Sequence, residues 1–348
     1  MAISAHPGED SHKPSTTDGT MRETEANRSS RACGTAAESV EIPVGEGLKG
    51  WSKRVKRKII TPKSIPYLLY LPCFIVTVGI LYPFFRSVYF SFTDYNLTYR
   101  TASFIGLENY VEMLISSDFW NSVRVTLTYA FSATTIELAL GFAMALLLLK
   151  PIGGRTIYRA IILLPFMIPP VIEAIMMRLM LAPVIGVVNY LGSFVGMPRL
   201  GWFGEANTAM FSVVLIDVHN FTPFAAIILL AGLQSLPSRP FEAARVDGAS
   251  SWFIFRKLTL PLLKPVIYVV ILFRLIESLI MFDMIYAGTK GGPAKATMSL
   301  HVNAYYHAMR WTMMGEAFVQ LVILWAVVFV CSFIIVRAWR RALGKRLI

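Results

Sequence analysis

The residues with chemical capacity in this chain sit inside apolar stretches. Asp217-Val218-His219-Asn220-Phe221-Thr222-Pro223-Phe224 places an acid, an imidazole, an amide and two rings in one such stretch; Arg274, Glu277, Ser278, Met281 and Asp283 fall in a second. Glu173 and Arg178 interrupt a third, and Glu137 is the lone charge of a fourth. Acid–base catalysis would need Asp217 and His219 to converge, but two residues apart on a helix they point to different sides. The pair could instead be a buried structural one. Ion coupling could use Asp217, Glu277 and Asp283 as cation ligands. Binding a polyhydroxy solute needs donors and acceptors for hydroxyls and an aromatic face for the ring, and the first two segments supply both.

A charge at mid-bilayer costs about 2.5–3.5 kcal/mol on insertion scales, so groups of this kind must face a partner or a watery cavity. The elements that hold them are membrane helices. Apolar residues make up 55% of the 348 and charged residues 16%, against about a quarter charged in soluble domains, and the mean hydropathy is +0.57. A soluble enzyme, a disordered scaffold and a disulfide-rich secreted domain are thereby excluded. Cys33, Cys73 and Cys331 are far apart, without a CxxC pair or a His cluster, and support neither a metal site nor a disulfide framework.

A helix needs about 20 apolar residues to cross a bilayer. Six spans are expected, at about 65–90, 123–149, 157–182, 209–236, 262–287 and 314–337, in an all-α membrane protein. Lys and Arg number 20 in segments 49–65, 150–159, 236–264 and 337–348 but five in 93–122, 183–208 and 288–313. Basic residues stay on the cytoplasmic side, so both termini are expected there. The net charge of +12 is then a topology signal rather than a nucleic-acid footprint, with Lys53–Lys58 also able to touch anionic lipid headgroups. Residues 1–60 read as a disordered, basic cytoplasmic tail, and 61–348 as the membrane domain. No apolar core of about 7–15 residues follows a basic start, so no signal peptide is expected.

The loop at 237–261 carries most information. Ser238 can cap a helix with Pro240 in its first turn; Asp247-Gly248 ends it; Ser250 or Ser251 can cap a second; and Pro261 closes that one. Phe241, Val246, Trp252, Phe253 and Phe255 give the hairpin an apolar surface suited either to a partner groove or to the headgroup boundary. Glu242-Ala243-Ala244, three residues, Gly248, nine residues, Leu258, one residue, Leu260-Pro261 resembles the EAA loop of ABC-importer permeases, with Leu258 where that pattern has Ile. Phe273-Arg274, Phe282-Asp283, Ile285-Tyr286, Gly291-Gly292-Pro293, Leu164-Pro165-Phe166 with Pro169, and Phe104–Tyr110 resemble stretches of carbohydrate-importer permeases of the maltose and glycerol-phosphate type. The resemblance covers about Ile65 to the C-terminus.

That resemblance implies a non-catalytic permease subunit of the bacterial cytoplasmic (inner) membrane, moving a sugar or polyol by alternating access. It implies as partners a cytoplasmic ABC ATPase dimer, a second related permease and an extracytoplasmic solute-binding protein. The chain has no Gly-x-x-x-x-Gly-Lys-Ser/Thr, so it holds no cofactor itself, and ATP and Mg would be bound by the ATPase. Coupling falls to Glu242, Ala243, Ala244, Gly248, Leu260 and Pro261. Positions carried over from maltose-type permeases nominate Asn220, Phe221, Phe224, Glu277, Ser278, Met281 and Phe166 for the substrate pathway. Beside this, Arg274 is expected to pair with Glu277 within its helix, and Asp283 to fix a helix end. A neutral solute is favoured, since a phosphorylated one would want an uncompensated basic cluster. The alternative, an ion-coupled secondary transporter, lacks the expected hydropathy symmetry between the first three and last three spans.

Overall fold

The computed structural model describes residues 65–149 and 153–344; the tail at 1–60 lies outside them. The chain divides into two compact units, Met1–Thr77 and Val78–Ile348. The division falls within the first helix, α1 (Ile65–Phe90). All further contacts described lie in the second unit.

The described residues are helical, with isolated bridges at Thr93–Phe104 and Asn96–Met313 in place of strands. After α1 come α2 (Glu108–Ile115), α3 (Ser117–Leu149), α4 (Arg155–Leu163), α5 (Pro170–Met180), α6 (Val187–Ser193) and α7 (Ala206–Gln234). The chain continues through α8 (Arg239–Val246), α9 (Ser251–Ile254), α10 (Leu260–Leu279), α11 (Asp283–Thr289), α12 (Leu300–Tyr305) and α13 (Met314–Gly344). Among the described residues five helical runs are long and apolar enough to cross a membrane: Leu69–Phe90, Ser117–Leu149, Ala206–Gln234, Ser251–Leu279 and Met314–Gly344.

Helix α7 is the hub, packed against α3 and α10, with α13 on the far side of α10. Missing side chains bring these backbones together, as is usual where lipid supplies no hydrophobic drive. A Cβ on Gly141 of α3 would lie 2.9 Å from the Ala225 Cβ of α7, and one on Gly232 would lie 2.8 Å from a Val266 methyl of α10.

Two of the expected spans are not continuous. The third, at 157–182, is α4, a 3-10 turn at Pro165–Met167, and α5. Pro165, Pro169 and Pro170 remove helical donors, and the last two push the residues before them to extended backbone, at Ile168 (ψ 127°) and Pro169 (ψ 135°). The fifth, at 262–287, breaks between Leu279 and Asp283. Met281 therefore lies beyond the end of α10, off the helix that carries Glu277. Asp283 stands at a helix end, in the first turn of α11, where an acid suits the helix dipole.

Pro261 does not close the hairpin's second helix. A π-turn at Phe255–Thr259 joins α9 to α10, and Pro261 sits in α10's first turn, where a missing N–H is tolerated. The segment 288–313 also holds more than a loop: α12 packs on α13 and α3, burying Leu300, Val302, Asn303 and Ala304.

Candidate functional site

Arg274 of α10 is fully buried, and its guanidinium organises the middle of the bundle. Its Nε and Nη2 donate to the two carboxylate oxygens of Glu137 on α3 at 2.5 and 2.8 Å. Nη2 also donates to Asp217 of α7 at 3.3 Å and Ser278 Oγ at 3.2 Å, and Nη1 to Glu277 at 2.6 Å. Its carbon lies 3.8 Å from the centre of the Phe221 ring. Glu137 and Asp217 are as fully buried as Arg274, whereas the Glu277 side chain is 46% exposed. One guanidinium thus ties three helices: its bidentate fork grips Glu137, and two further acids, a hydroxyl and a ring fill its remaining faces. The intrahelical pair with Glu277 is present, but it is the outermost of Arg274's contacts.

A second polar node pins the broken third helix. Asn220 of α7 donates its amide to Glu173 of α5 and to the carbonyls of Pro165 and Ile168, the last two at 3.3 and 3.2 Å. The Pro165 carbonyl also accepts from Ile168 N–H at 3.0 Å in the 3-10 turn, whereas the Ile168 carbonyl, just before Pro169 and Pro170, belongs to extended backbone that in a membrane needs such a donor. His219 reaches the other Glu173 oxygen through Nδ1 at 2.5 Å, with its side chain 46% exposed. The pairing of Asp217 with His219 considered from sequence does not occur: Asp217 turns to Arg274 and His219 to Glu173. Their separation along the helix sends them to different neighbours.

The pathway nominees form one run of contacts. Phe166 stacks on Phe224 at 5.5 Å and meets Phe221 edge-on at 5.9 Å; Phe221 lies under Arg274, which holds Glu277 and Ser278. Asn220 and Ser278 are buried with polar atoms engaged, and Met281 is in the apolar core beside Phe221, Met284 and Ile285. Phe166, Phe224 and Glu277 keep accessible surface. Glu137 was not among the nominees. Its signal was present in the sequence, since a lone carboxylate in an apolar helix demands a cation.

At one end of the bundle α8 and α9 form a hairpin. Gly248 has φ +73°, and its N–H and that of Ala249 bond back to the carbonyls of Arg245 (3.1 Å) and Ala244 (2.9 Å). This Schellman ending needs a residue that accepts a left-handed conformation. Ser250 caps α9 by accepting from Phe253 N–H, whereas Ser238 makes no side-chain cap for α8. Glu242 and Ala243 are exposed, Ala244 is half-buried, and Trp252 is 67% exposed. A recess of about 360 Å³ lies between the hairpin and the helices above it, lined by Leu149, Leu236, Phe241, Glu242, Arg245 and Thr259 among others. Leu260 and Pro261 begin α10 itself.

A helix broken at prolines, a charged network buried between helices and a hairpin at one end fit the membrane subunit of a solute transporter. Residues 137–348 match the family described as binding-protein-dependent transport system inner membrane component. The chain is 36% identical over 280 residues to the trehalose/maltose transport system permease protein MalF of Thermococcus litoralis, covering 80% of this chain and 95% of that one. It is 30% identical to the trehalose transport system permease protein SugA of Mycobacterium tuberculosis, covering 80% and 90%. It is 32% identical to the sulfoquinovosyl glycerol transport system permease protein SmoG of Agrobacterium fabrum, covering 76% and 86%. A chain from the crystal structure of a bacterial ABC transporter importing alginate shares the fold, with TM-score 0.72 and 22% identity over 83% of this chain and 99% of that one. The protein belongs to the binding-protein-dependent inner membrane components and is a permease subunit of an ABC transporter.

Proposed function

We propose that this subunit carries a neutral sugar or polyol into the cell, driven by ATP hydrolysed on a separate ATPase dimer. The observation that carries the reading is the continuity of the helical run Ser251–Leu279. One end of it is the Gly248 hairpin and the other holds Arg274, Glu277 and Ser278, so a displacement of the hairpin reaches the polar network along a single rod. In this reading the chain crosses the membrane six times, with the proline-broken segment 157–182 as the third crossing and both termini cytoplasmic. Glu242, Ala243, Ala244 and Gly248 seat in the ATPase cleft, and Leu260-Pro261 starts α10 within the rod. A second permease completes the pathway, a solute-binding protein delivers the solute, and the ATPase supplies the ATP and Mg chemistry.

The solute assignment rests on Phe166 and Phe224, which offer a stacked aromatic face, and on Glu277 and His219, which offer exposed polar groups close by in the contact run. Relatives named for trehalose, maltose and sulfoquinovosyl glycerol support a carbohydrate. The ion-coupled reading is disfavoured, because Asp217 and Glu277 are already engaged by Arg274. The test is uptake of labelled disaccharides into liposomes holding both permeases and the ATPase, with binding protein outside. Uptake should require ATP and binding protein and should fall with Phe224→Ala. Uptake sustained by an ion gradient without ATP overturns the proposal.

A further inference from the structure

Helix α13 carries, at its C-terminal end, a feature to which the proposed function assigns no role. The row Phe329, Phe333, Arg337, Arg341 runs along one face at four-residue steps, and Val336 and Arg340 form the adjoining row. Phe329 and Phe333 are 58% and 57% exposed, and the three arginines are exposed. Among the described residues none of these guanidiniums has an acidic partner or a side-chain hydrogen bond. Between the rows lies an open groove of about 500 Å³ lined by Phe333, Val336, Arg337, Arg340 and Arg341. Within about 18 Å of helix the lining changes from aromatic rings to three guanidiniums.

We propose that this groove is a binding site for an anionic phospholipid, its phosphate held by Arg337, Arg340 and Arg341 and its upper acyl chain lying on Phe333 and Val336. Two observations favour a lipid over an acidic protein surface. The basic cluster is continuous with the apolar face of a helix whose run is long enough to span the bilayer, so it falls where hydrocarbon gives way to headgroups. Guanidiniums bind phosphate oxygens through paired donors, and the apolar end of the groove would be wasted on a hydrophilic partner. The inference depends on α13 crossing the membrane and not on which solute is carried or which side the terminus faces.

The experiment is native mass spectrometry of the full chain, with its co-purifying subunits, in micelles doped with phosphatidylglycerol and phosphatidylcholine of matched chains. Wild type should retain phosphatidylglycerol over phosphatidylcholine by roughly tenfold or more. The Arg337→Gln/Arg340→Gln/Arg341→Gln variant should lose that preference, the corresponding triple Lys variant should keep most of it, and Phe333→Ala should lower retention of both lipids. Single Gln variants, each with a partial loss, serve if the triple variant does not fold. Equal retention of the two lipids by wild type overturns the proposal, as does a preference that survives the Gln substitutions. Displacement of phosphatidylglycerol by millimolar inorganic phosphate would overturn the lipid assignment. Loss of a co-purifying subunit with lipid retention unchanged would assign the face to protein contact instead.

Discussion

Replacing Arg274 with Met tests how the centre of the bundle is held. The substitution keeps most of the side chain's apolar volume but strands Glu137 and Asp217, both fully buried. Opposite charges about 4 Å apart at an effective dielectric of about 20 attract by about 4 kcal/mol, and removing one partner of a buried pair costs about 3–5 kcal/mol. Arg274→Met should therefore destabilise the subunit by about 3–5 kcal/mol. Glu137→Gln should cost less, because Arg274 retains Asp217, Glu277 and Ser278. The double variant should be more stable than the sum of the single effects predicts by about 2 kcal/mol, since the lost carboxylate is the one the lost guanidinium would have left unpaired. Glu277→Gln, at a half-exposed position, should cost under about 1 kcal/mol. Reversible unfolding in mixed detergent micelles, followed by far-UV circular dichroism, measures all four. Additivity of the two single effects, or a Glu277→Gln cost equal to that of Arg274→Met, would refute the account of the network.

Three further perturbations address other parts of the structure. Asn220→Leu leaves the Ile168 carbonyl without its donor, while the Pro165 carbonyl keeps the Ile168 N–H, and should cost about 1–3 kcal/mol, together with faster thiol labelling of a Cys placed at position 166. Gly248→Ala puts a Cβ at φ +73°; it should weaken recovery of the ATPase on affinity purification while leaving membrane insertion unchanged, and Gly248→Asn should do so less. Gly141→Val drives a branched side chain against Ala225, where even a Cβ would sit at 2.9 Å, and should lower the unfolding midpoint by an overpacking cost of about 1–3 kcal/mol.

Properties set by neighbours along the chain were legible in the sequence. The apolar lengths located the five long helices, although the expected span 262–287 overran the end of α10 at Leu279 and the last one stopped short of Gly344, and Asp247-Gly248 marked the hairpin turn because a left-handed ending calls for glycine. Arg274 and Glu277 are one turn apart, so their pairing could be read from spacing. Pairings between helices were not legible. Glu137 and Arg274 are separated by 137 positions, and no periodicity ranks Glu137 above Asp217 or Glu277 as partner. The break after Leu279 carries no proline, and an unbroken apolar run conceals it. The prolines of the third span announced a disruption, but what makes the disruption tolerable is Asn220, a residue of another helix. Nominated for solute contact, Asn220 also serves as the clamp that satisfies the unwound backbone.

The continuity from hairpin to polar network is the central claim, and one distance tests it most directly. Spin labels at position 166, on the proline-broken segment, and position 277, on the rod, can be followed by pulsed dipolar spectroscopy in the complete complex, first nucleotide-free and then with ATP and vanadate. The rod account predicts a shift in the 166–277 distance on nucleotide trapping, lost when Gly248→Pro disrupts the hairpin. An unchanged distance in a complex that still couples ATP hydrolysis to uptake would contradict it.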